Sequence, residues 1–209
     1  MFARHFDKGA SRLTKKVEKR LVTQARRGKE DAARILVDAH KDRLFAFVWR
    51  ILRNNDDSEE ICQEAFLRAF SSLDSFSSEY RFSTWLFTIG YRLCLNHIRR
   101  RKSFTGEVDF STMASSASGV SEQLAQSEEA RRLKDKIWEA VDRLSVPQRA
   151  AVLLFYREEM SCEQIAKTLG MPMATVKSHL HRARGRLRDS LAGLVKDFSQ
   201  LESLRDIAS

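Results

Sequence analysis

The sequence SCEQIAKTLGMPMATVKSHL, residues 161–180, carries the start and stop signals of two short helices joined by a tight turn. Ser161 can cap the first helix, and Gln164, three residues later, can return a hydrogen bond to the cap. Gly170 can adopt the positive φ that ends a helix, and Pro172 is suited to open the next one. The stretch therefore predicts a helix-turn-helix.

The second helix of this motif is predicted to have one apolar face and one basic face. The apolar face consists of Val176, Leu180, Ala183 and Leu187, and the outward face of Lys177, Ser178, His181, Arg182 and Arg184. Residues 164–188 contain six basic side chains and no acidic one. Such a face can enter the major groove of DNA, where arginine and lysine donate to guanine or to phosphates. The alternative is a solvated cationic helix in an ordinary bundle.

Residues 81–102 form a second basic segment, with six basic residues and no acidic one. Its aromatic residues are Phe82, Trp85, Phe87 and Tyr91. Rings beside cations suit single-stranded nucleic acid, because unpaired bases stack on the rings while phosphates meet the charges. Trp85 also falls on a helix face typical of a core, so we expect Trp85 and Phe87 to be buried. The candidate contacts are Ser75, Phe76, Tyr80 and Arg81 in the preceding polar loop, with Asn96, Arg99 and Arg100 further on.

Residues 54–64 hold five acidic residues and no basic one, although the surrounding chain is basic. Asp57, with Glu60 three residues later, resembles a capping box that opens a helix. DNA would repel the acidic ridge of this helix, so the ridge suggests a contact with another protein. The alternative is a solvated helix start, whose acids favour the positive end of the helix dipole.

The composition of the whole chain favours helices. Its 209 residues include only 2 Pro and 8 Gly, and its net charge of +9 favours an acidic surface or a polyanion as partner. The charge is uneven, at +9 for residues 1–102, −5 for residues 103–129 and +5 for residues 130–209. The middle segment is rich in serine and lacks an apolar period, as linkers do. We therefore predict an all-α protein of two small helical domains joined by an acidic flexible linker.

Apolar residues at helical spacing predict the core of the first domain. They are Ile35, Leu36, Ala39, Leu44, Val48, Ile51 and Leu52, followed by Ile61, Ala65, Ala69 and Leu73. In the second domain, Ser145 with Gln148 is another candidate capping box and predicts a helix start.

The sequence offers no cofactor motif. The three cysteines, Cys62, Cys94 and Cys162, lie far apart within helical patterns, as expected of reduced thiols. Cys94 and His97 are one helical turn apart, but two ligands do not make a zinc site, so we expect no metal and no cofactor. No apolar run reaches about 18 residues and the N-terminus lacks a signal-peptide pattern, which predicts a cytoplasmic protein.

Several stretches together resemble one known family. DDSEEICQEAFLRAF at residues 56–70, FSTWLFTI at 82–89 and NHIRRR at 96–101 resemble region 2 of the extracytoplasmic-function sigma factors. LSVPQR at 144–149 and TVKSHLHRAR at 175–184 resemble region 4 of the same family.

The resemblance covers about residues 20–190 and implies a division of the chain into five segments. These are a basic N-terminal extension at 1–19, region 2 at 20–102, the linker at 103–129, region 4 at 130–190 and a C-terminal tail at 191–209.

Such a resemblance implies a transcription initiation subunit, not an enzyme, which binds core RNA polymerase and directs it to promoters. The acidic ridge that would dock on the β′ clamp helices consists of Asp57, Glu60, Gln63, Glu64 and Leu67. The loop from Asp74 to Phe82 would capture a base flipped from the minus 10 element, and the basic helix after it would follow the melted promoter. The outward face of the second helix in the helix-turn-helix would read the minus 35 element. The β subunit and an anti-sigma factor are further implied partners.

Two other functions remain compatible with parts of the sequence. A stand-alone helix-turn-helix regulator would explain residues 130–190, but it usually acts as a dimer on palindromes and leaves the acidic ridge unexplained. A metal-dependent nuclease would need carboxylates around Mg²⁺, and the candidates are Asp56, Asp57, Glu60 and Glu64. These crowd one helix start, with no second acidic cluster to complete the site.

Overall fold

The computed structural model describes residues 13–77, 79–105 and 128–192, and all regular secondary structure in these ranges is helical. The all-α prediction is confirmed. The helices are α1 (Lys15–Arg26), α2 (Glu30–Leu52), α3 (Asn55–Ser71), α4 (Phe82–Thr105), α5 (Glu128–Asp142), α6 (Val146–Val152), α7 (Cys162–Leu169) and α8 (Met173–Leu191). A short 3₁₀ turn spans Leu73–Ser75, and a π-helical turn, Leu153–Arg157, continues α6. Residues 1–12, 106–127 and 193–209, which include most of the predicted extension, linker and tail, lie outside the described residues.

The ends of the helices differ from the predicted segment bounds. Helix α1 begins at Lys15, inside the predicted N-terminal extension, and α4 continues to Thr105, beyond the predicted end of region 2. Helix α5 begins at Glu128, inside the predicted linker. Helix α1 carries its own apolar residues, Leu21 and Val22, which are buried against the first domain, so it is part of that domain.

Helices α1 to α4 enclose the first core. Its fully buried members include Leu36, Leu44, Val48, Phe82, Leu86 and Phe87. Helices α2 and α4 approach closely at Gly90, where an added Cβ would lie 3.0 Å from a methyl carbon of Leu44. One predicted core residue, Ile35, is 47% exposed, because its position on α2 falls outside the face that packs on the other helices.

The predicted helix starts near Ser145, Ser161 and Pro172 are confirmed, whereas α3 begins at Asn55, before the predicted start at Asp57. Two of the predicted caps are wrong. Asn54, not Asp57, caps α3, since its Oδ1 accepts the backbone N–H of Asp57 at 2.9 Å. Ser145 stands at the N-cap of α6 without a side-chain hydrogen bond, and the nearby Gln148 is buried and accepts from Arg186 at 3.0 Å.

The helix-turn-helix forms as predicted. Ser161 and Gln164 make both hydrogen bonds of the capping box, and Gly170 ends α7 at φ 66°. The apolar face of α8 is buried through Val176, Leu180 and Ala183, with Leu187 partly buried. The side chain of Ile165 on α7 is fully buried within the same core.

The two domains pack against each other through an interdomain charge cluster. The cluster consists of Arg43 and Arg50 of α2, Arg53 directly after α2, and Asp142 and Glu158 of the second domain. Arg50 donates to both carboxylate oxygens of Asp142 at 3.0 and 3.3 Å, and its guanidinium lies 3.8 Å from the Trp138 ring centroid. Arg53 pairs with the same carboxylate, and Arg43 pairs with Glu158. All five side chains of the cluster are less than one-fifth exposed, so the contact is a buried interface.

The cysteines are unpaired thiols, and two of them are buried. Burial raises the pKa of the Cys62 thiol to about 12 and also raises that of Cys94, which keeps both protonated at neutral pH. Within the described ranges no group of three or more His, Cys, Asp or Glu side chains is arranged to hold a metal ion. None of the helices in those ranges is long and apolar enough to cross a membrane.

Candidate nucleic-acid and protein contact surfaces

The acidic ridge lies along one face of α3, because its members recur at the three- and four-residue spacing of a helix. Glu60, Gln63 and Leu67 are exposed. At 66%, Leu67 has the largest exposed fraction among the large apolar side chains that the structure describes. The Glu64 carboxylate is half-exposed and accepts from Arg68 at 2.6 Å, one turn further on. The ridge therefore presents negative charge beside an uncovered leucine, a combination suited to a protein partner with basic and apolar groups.

Asp57 lies at the edge of this ridge but turns toward α4. Its Oδ2 is 3.2 Å from His97 Nε2 and 3.7 Å from Arg101 Nη1. These contacts make Asp57 a link between α3 and α4. Glu60, Gln63, Glu64 and Leu67 are the ridge residues that face outward.

The predicted minus 10 loop begins within the 3₁₀ turn, and only part of it is accessible. Ser75 and Tyr80 are exposed. Phe76 is only 6% exposed, and its ring lies 5.2 Å from Trp85 and 6.1 Å from Phe82, centroid to centroid. Phe76 is therefore a core residue, which corrects its prediction as a nucleic-acid contact.

Arg81 also differs from its predicted role as a DNA contact. Its Nη2 donates to the backbone carbonyl of Leu13, and its Nε lies 3.4 Å from the buried carboxylate of Glu18. The guanidinium is thus committed to contacts within the domain. Further along α4, Asn96, Arg99 and Arg100 are exposed as predicted, whereas Phe87 is fully buried and Trp85 half-buried.

The outward face of α8 carries four of the five predicted DNA contacts. Lys177, His181 and Arg182 are exposed, and the Ser178 hydroxyl oxygen accepts from Arg182 Nε at 3.2 Å and Nη2 at 2.6 Å. This contact holds the Arg182 guanidinium over the preceding turn of the helix, with donors left for a base edge or a phosphate.

Arg184 does not belong to that face. It is half-buried, and its Nε donates to the Tyr156 hydroxyl at 2.9 Å. Its guanidinium carbon also lies 5.6 Å from the centroid of the Phe155 ring. Arg184 thus ties α8 to the π-helical turn and lies off the outward face, so we leave it out of the proposed minus 35 contacts.

Two contacts of the loop were not predicted, and both join residues far apart in the chain. Lys167 of α7 donates to the Tyr80 hydroxyl at 2.9 Å and lies 4.2 Å from the centroid of its ring. Arg26 of α1 donates to backbone carbonyls of the loop. Lys167 belongs to the predicted helix-turn-helix and Arg26 to no predicted motif. Neither contact was predictable, because a contact between residues so far apart in the chain leaves no periodic signal.

Comparison with known proteins accounts for both domains. The family model for sigma-70 region 2 matches residues 36–104, and the model for sigma-70 region 4 matches residues 134–187. The ECF RNA polymerase sigma factor SigW of Bacillus subtilis (strain 168) is 34% identical over 186 residues, which cover 84% of this chain and 97% of SigW. The ECF RNA polymerase sigma-E factor of Escherichia coli (strain K12) is 28% identical over 185 residues, covering 84% of this chain and 95% of that protein.

Solved structures share the fold. CnrH, solved in complex with the cytosolic domain of CnrY, superposes with a TM-score of 0.62 at 22% identity and covers 86% of this chain and 99% of its own. RpoE of Bartonella quintana, solved in complex with the anti-sigma factor NepR, superposes with a TM-score of 0.61 at 24% identity. The match covers 86% of this chain and 98% of RpoE. The identity to SigW over nearly its full length, with region 2 followed by region 4, shows that this chain belongs to the extracytoplasmic-function sigma factors of RNA polymerase.

Proposed function

We propose that three separate surfaces divide the work of this sigma factor, which binds core RNA polymerase and directs promoter-specific transcription. The outward residues of the acidic ridge dock on the β′ clamp helices. The loop with the exposed Ser75 and Tyr80, followed by Asn96, Arg99 and Arg100, engages the minus 10 element. The outward face of α8 reads the minus 35 element through Lys177, Ser178, His181 and Arg182.

The separation of charge between these surfaces carries the proposal. Helix α3 presents carboxylates and an exposed leucine. By contrast, the C-terminal part of α4 and the outward face of α8 present basic side chains. A polyanion would be repelled by the first surface and attracted by the other two. A stand-alone DNA-binding protein has no use for the acidic ridge.

An exchange of the loop tests the minus 10 assignment. The exposed residues to exchange for those of another sigma factor are Asp74, Ser75, Ser77, Glu79 and Tyr80. Phe76 and Arg81 are kept, because they hold the loop to the domain. We expect a changed order of preference at minus 10 and an unchanged preference at minus 35, measured as open-complex formation on a panel of promoter variants. A uniform change in activity with the same order of bases would contradict the assignment.

The minus 35 assignment predicts a difference between two arginines on α8. Arg182→Ala should weaken promoter binding by about 1–3 kcal/mol and relax the preference at one or two minus 35 positions if its guanidinium reads a base. If it binds a phosphate instead, the loss should be uniform across sequences, with a shallower dependence on salt. Binding of the holoenzyme to minus 35 point variants at two salt concentrations separates these outcomes. Arg188→Ala, an exposed arginine in the last turn of α8, is the matched control.

Arg184→Ala should affect stability instead of sequence preference. Loss of the hydrogen bond to Tyr156 should lower the free energy of unfolding by about 1 kcal/mol. Thermal or urea unfolding measures this loss, and the minus 35 panel should give the wild-type order of bases. A changed order of bases would return Arg184 to the DNA-reading face.

We further propose that the protein is cytoplasmic and has no catalytic activity of its own. We also propose that an anti-sigma factor restrains its binding to core polymerase. The polymerase to which it binds is cytoplasmic and supplies the chemistry of transcription. The RpoE protein of Bartonella quintana, which shares the fold, was solved with the anti-sigma factor NepR, and this supports a comparable partner. Purification of the tagged chain from cells should yield a stoichiometric protein that blocks assembly with core polymerase.

A further inference from the structure

Helix α1 lies before the segment that matches region 2, yet it contacts the minus 10 loop directly. The Arg26 side chain projects from its last turn into the loop. Arg26 Nε donates to the Leu73 carbonyl at 2.8 Å, and Nη2 donates to the Phe76 carbonyl at 2.5 Å. The same Nη2 lies 3.4 Å from the Asp74 carbonyl. One guanidinium therefore gathers three backbone carbonyls at the start of the loop.

The other end of the loop is held by the first turn of the same helix. Lys15 Nζ donates to the Glu79 carbonyl at 2.8 Å. Arg81 donates to the Leu13 carbonyl and contacts Glu18, whose carboxylate is only 1% exposed. Helix α1 thus contacts the loop at residues 73–76 and again at 79–81.

The contact of Arg81 with Glu18 lies beside a further buried polar group. His40 of α2 is fully buried, and its Nε2 is 3.5 Å from Glu18 Oε1. Burial lowers the pKa of His40 to about 3, so the imidazole is neutral at pH 7. Burial also raises the pKa of Glu18, which the Arg81 guanidinium opposes. Replacement of Glu18 or Arg81 would leave a buried polar group without its partner, whereas Arg26 lies at the surface end of α1 and can be changed more safely.

The geometry of Arg26 suits it to fix a backbone path. A guanidinium is planar and presents its donors in a rigid fork, so two carbonyls bound to it keep a defined separation and direction. The directions of the exposed Ser75 and Tyr80 depend on the path of the backbone between residues 73 and 81. Recognition of a flipped base requires such groups to stay within roughly half an ångström of their working positions.

We propose that α1 braces the minus 10 loop and that Arg26 is a positioning residue for the choice of the flipped base. This inference rests on the proposed role of the loop in capturing that base. Arg26 itself touches no base, and it acts through the carbonyls of Leu73 and Phe76.

The test compares Arg26→Met and Arg26→Lys with the control Arg27→Met, in holoenzyme reconstituted from core polymerase. Arg27 is the exposed C-cap residue that directly follows α1. We expect Arg26→Met to reduce the preference for the best minus 10 base about tenfold, with unchanged affinity for core polymerase and unchanged minus 35 preference. Arg26→Lys, which keeps the charge but reaches one carbonyl at a time, should give an intermediate preference. Arg27→Met should equal the wild type.

Hydrogen exchange of the loop amides provides the second readout. Amides of residues 73–77 should exchange at least tenfold faster in Arg26→Met, while those of α2 and α4 keep their wild-type rates. Wild-type base preference in both Arg26 variants, or faster exchange throughout the domain, would overturn the brace. If replacing the loop by that of another sigma factor alters the order of base preference at minus 10 but the Arg26 variants do not, the brace is wrong and the loop assignment stands. If neither alters the order of bases, the loop assignment fails as well.

Discussion

Replacement of both Glu60 and Glu64 by lysine is expected to weaken binding to core RNA polymerase about 100-fold. In the proposed function this ridge docks on the β′ clamp helices, where the two new lysines would face basic groups. The fold should persist, because both side chains lie at the surface. The one local cost is repulsion between the new lysine at 64 and Arg68, of about 0.5 kcal/mol.

The control for this experiment is the double variant Glu30→Lys, Asp31→Lys. Both residues are exposed in the first turn of α2, and their reversal changes the net charge by the same amount. Affinity for core polymerase is measured by titration of labelled protein, and thermal unfolding verifies the fold of each variant. Equal losses in the two double variants would mean that only the total charge matters, and the ridge assignment would be wrong.

The double variant Asp142→Asn, Glu158→Gln is expected to separate the two domains. Burial, with Arg157 and Arg149 nearby, lowers the pKa of Arg50 to about 10, so Arg50 stays charged at pH 7 and depends on the Asp142 carboxylate. Without the two acids, the three arginines of the interdomain charge cluster would remain buried together. A buried ion pair that loses one partner costs about 3–5 kcal/mol, enough to shift the equilibrium between packed and separated domains by more than about 100-fold.

Separation is measured by energy transfer between dyes on the two domains and by the radius of gyration. The control is Asp135→Asn, Glu139→Gln, which removes two exposed carboxylates from α5 and leaves the charge cluster intact. The control should keep the wild-type distances, and the cluster variant should not. Unchanged distances in the cluster variant would show that the charge cluster does not hold the domains together.

The packed arrangement cannot serve both promoter elements at once. Elements named minus 10 and minus 35 lie about 25 base pairs apart, or about 85 Å of duplex. A packed chain of this length has a radius of gyration of only about 17 Å. Promoter binding therefore requires the domains to separate, and the cluster variant should assemble with core polymerase at least as readily as the wild type.

Local chemistry made the helix-turn-helix predictable from the sequence. The Ser161 cap and the Gly170 stop depend on residues within a few positions of each other, so their signals survive in a short stretch. Asn54 and Asp57 show the limit of such signals, since both can cap and only the structure shows which oxygen meets a free N–H.

The predicted site residues that the structure places away from the exposed surfaces share a different cause. Arg184 follows Lys177 by two turns of α8, so the helical period places both on one face. Tyr156 nevertheless lies within reach of Arg184, and the sequence period does not reveal that neighbour. Phe76 lies in a polar loop yet packs beside Trp85, because the 3₁₀ turn brings it back to the core. Arg26 was missed for the same reason, since its partners stand nearly fifty residues away.

The central claim is that this chain gives core RNA polymerase its choice of promoter. The most direct measurement mixes the purified protein with core polymerase lacking any sigma factor, on genomic DNA, and maps the 5′ ends of the transcripts. We expect transcript starts that share two sequence elements at constant spacing and that are absent with core polymerase alone. Unchanged starts, with the protein binding palindromes as a dimer or cleaving DNA in the presence of Mg²⁺, would contradict it.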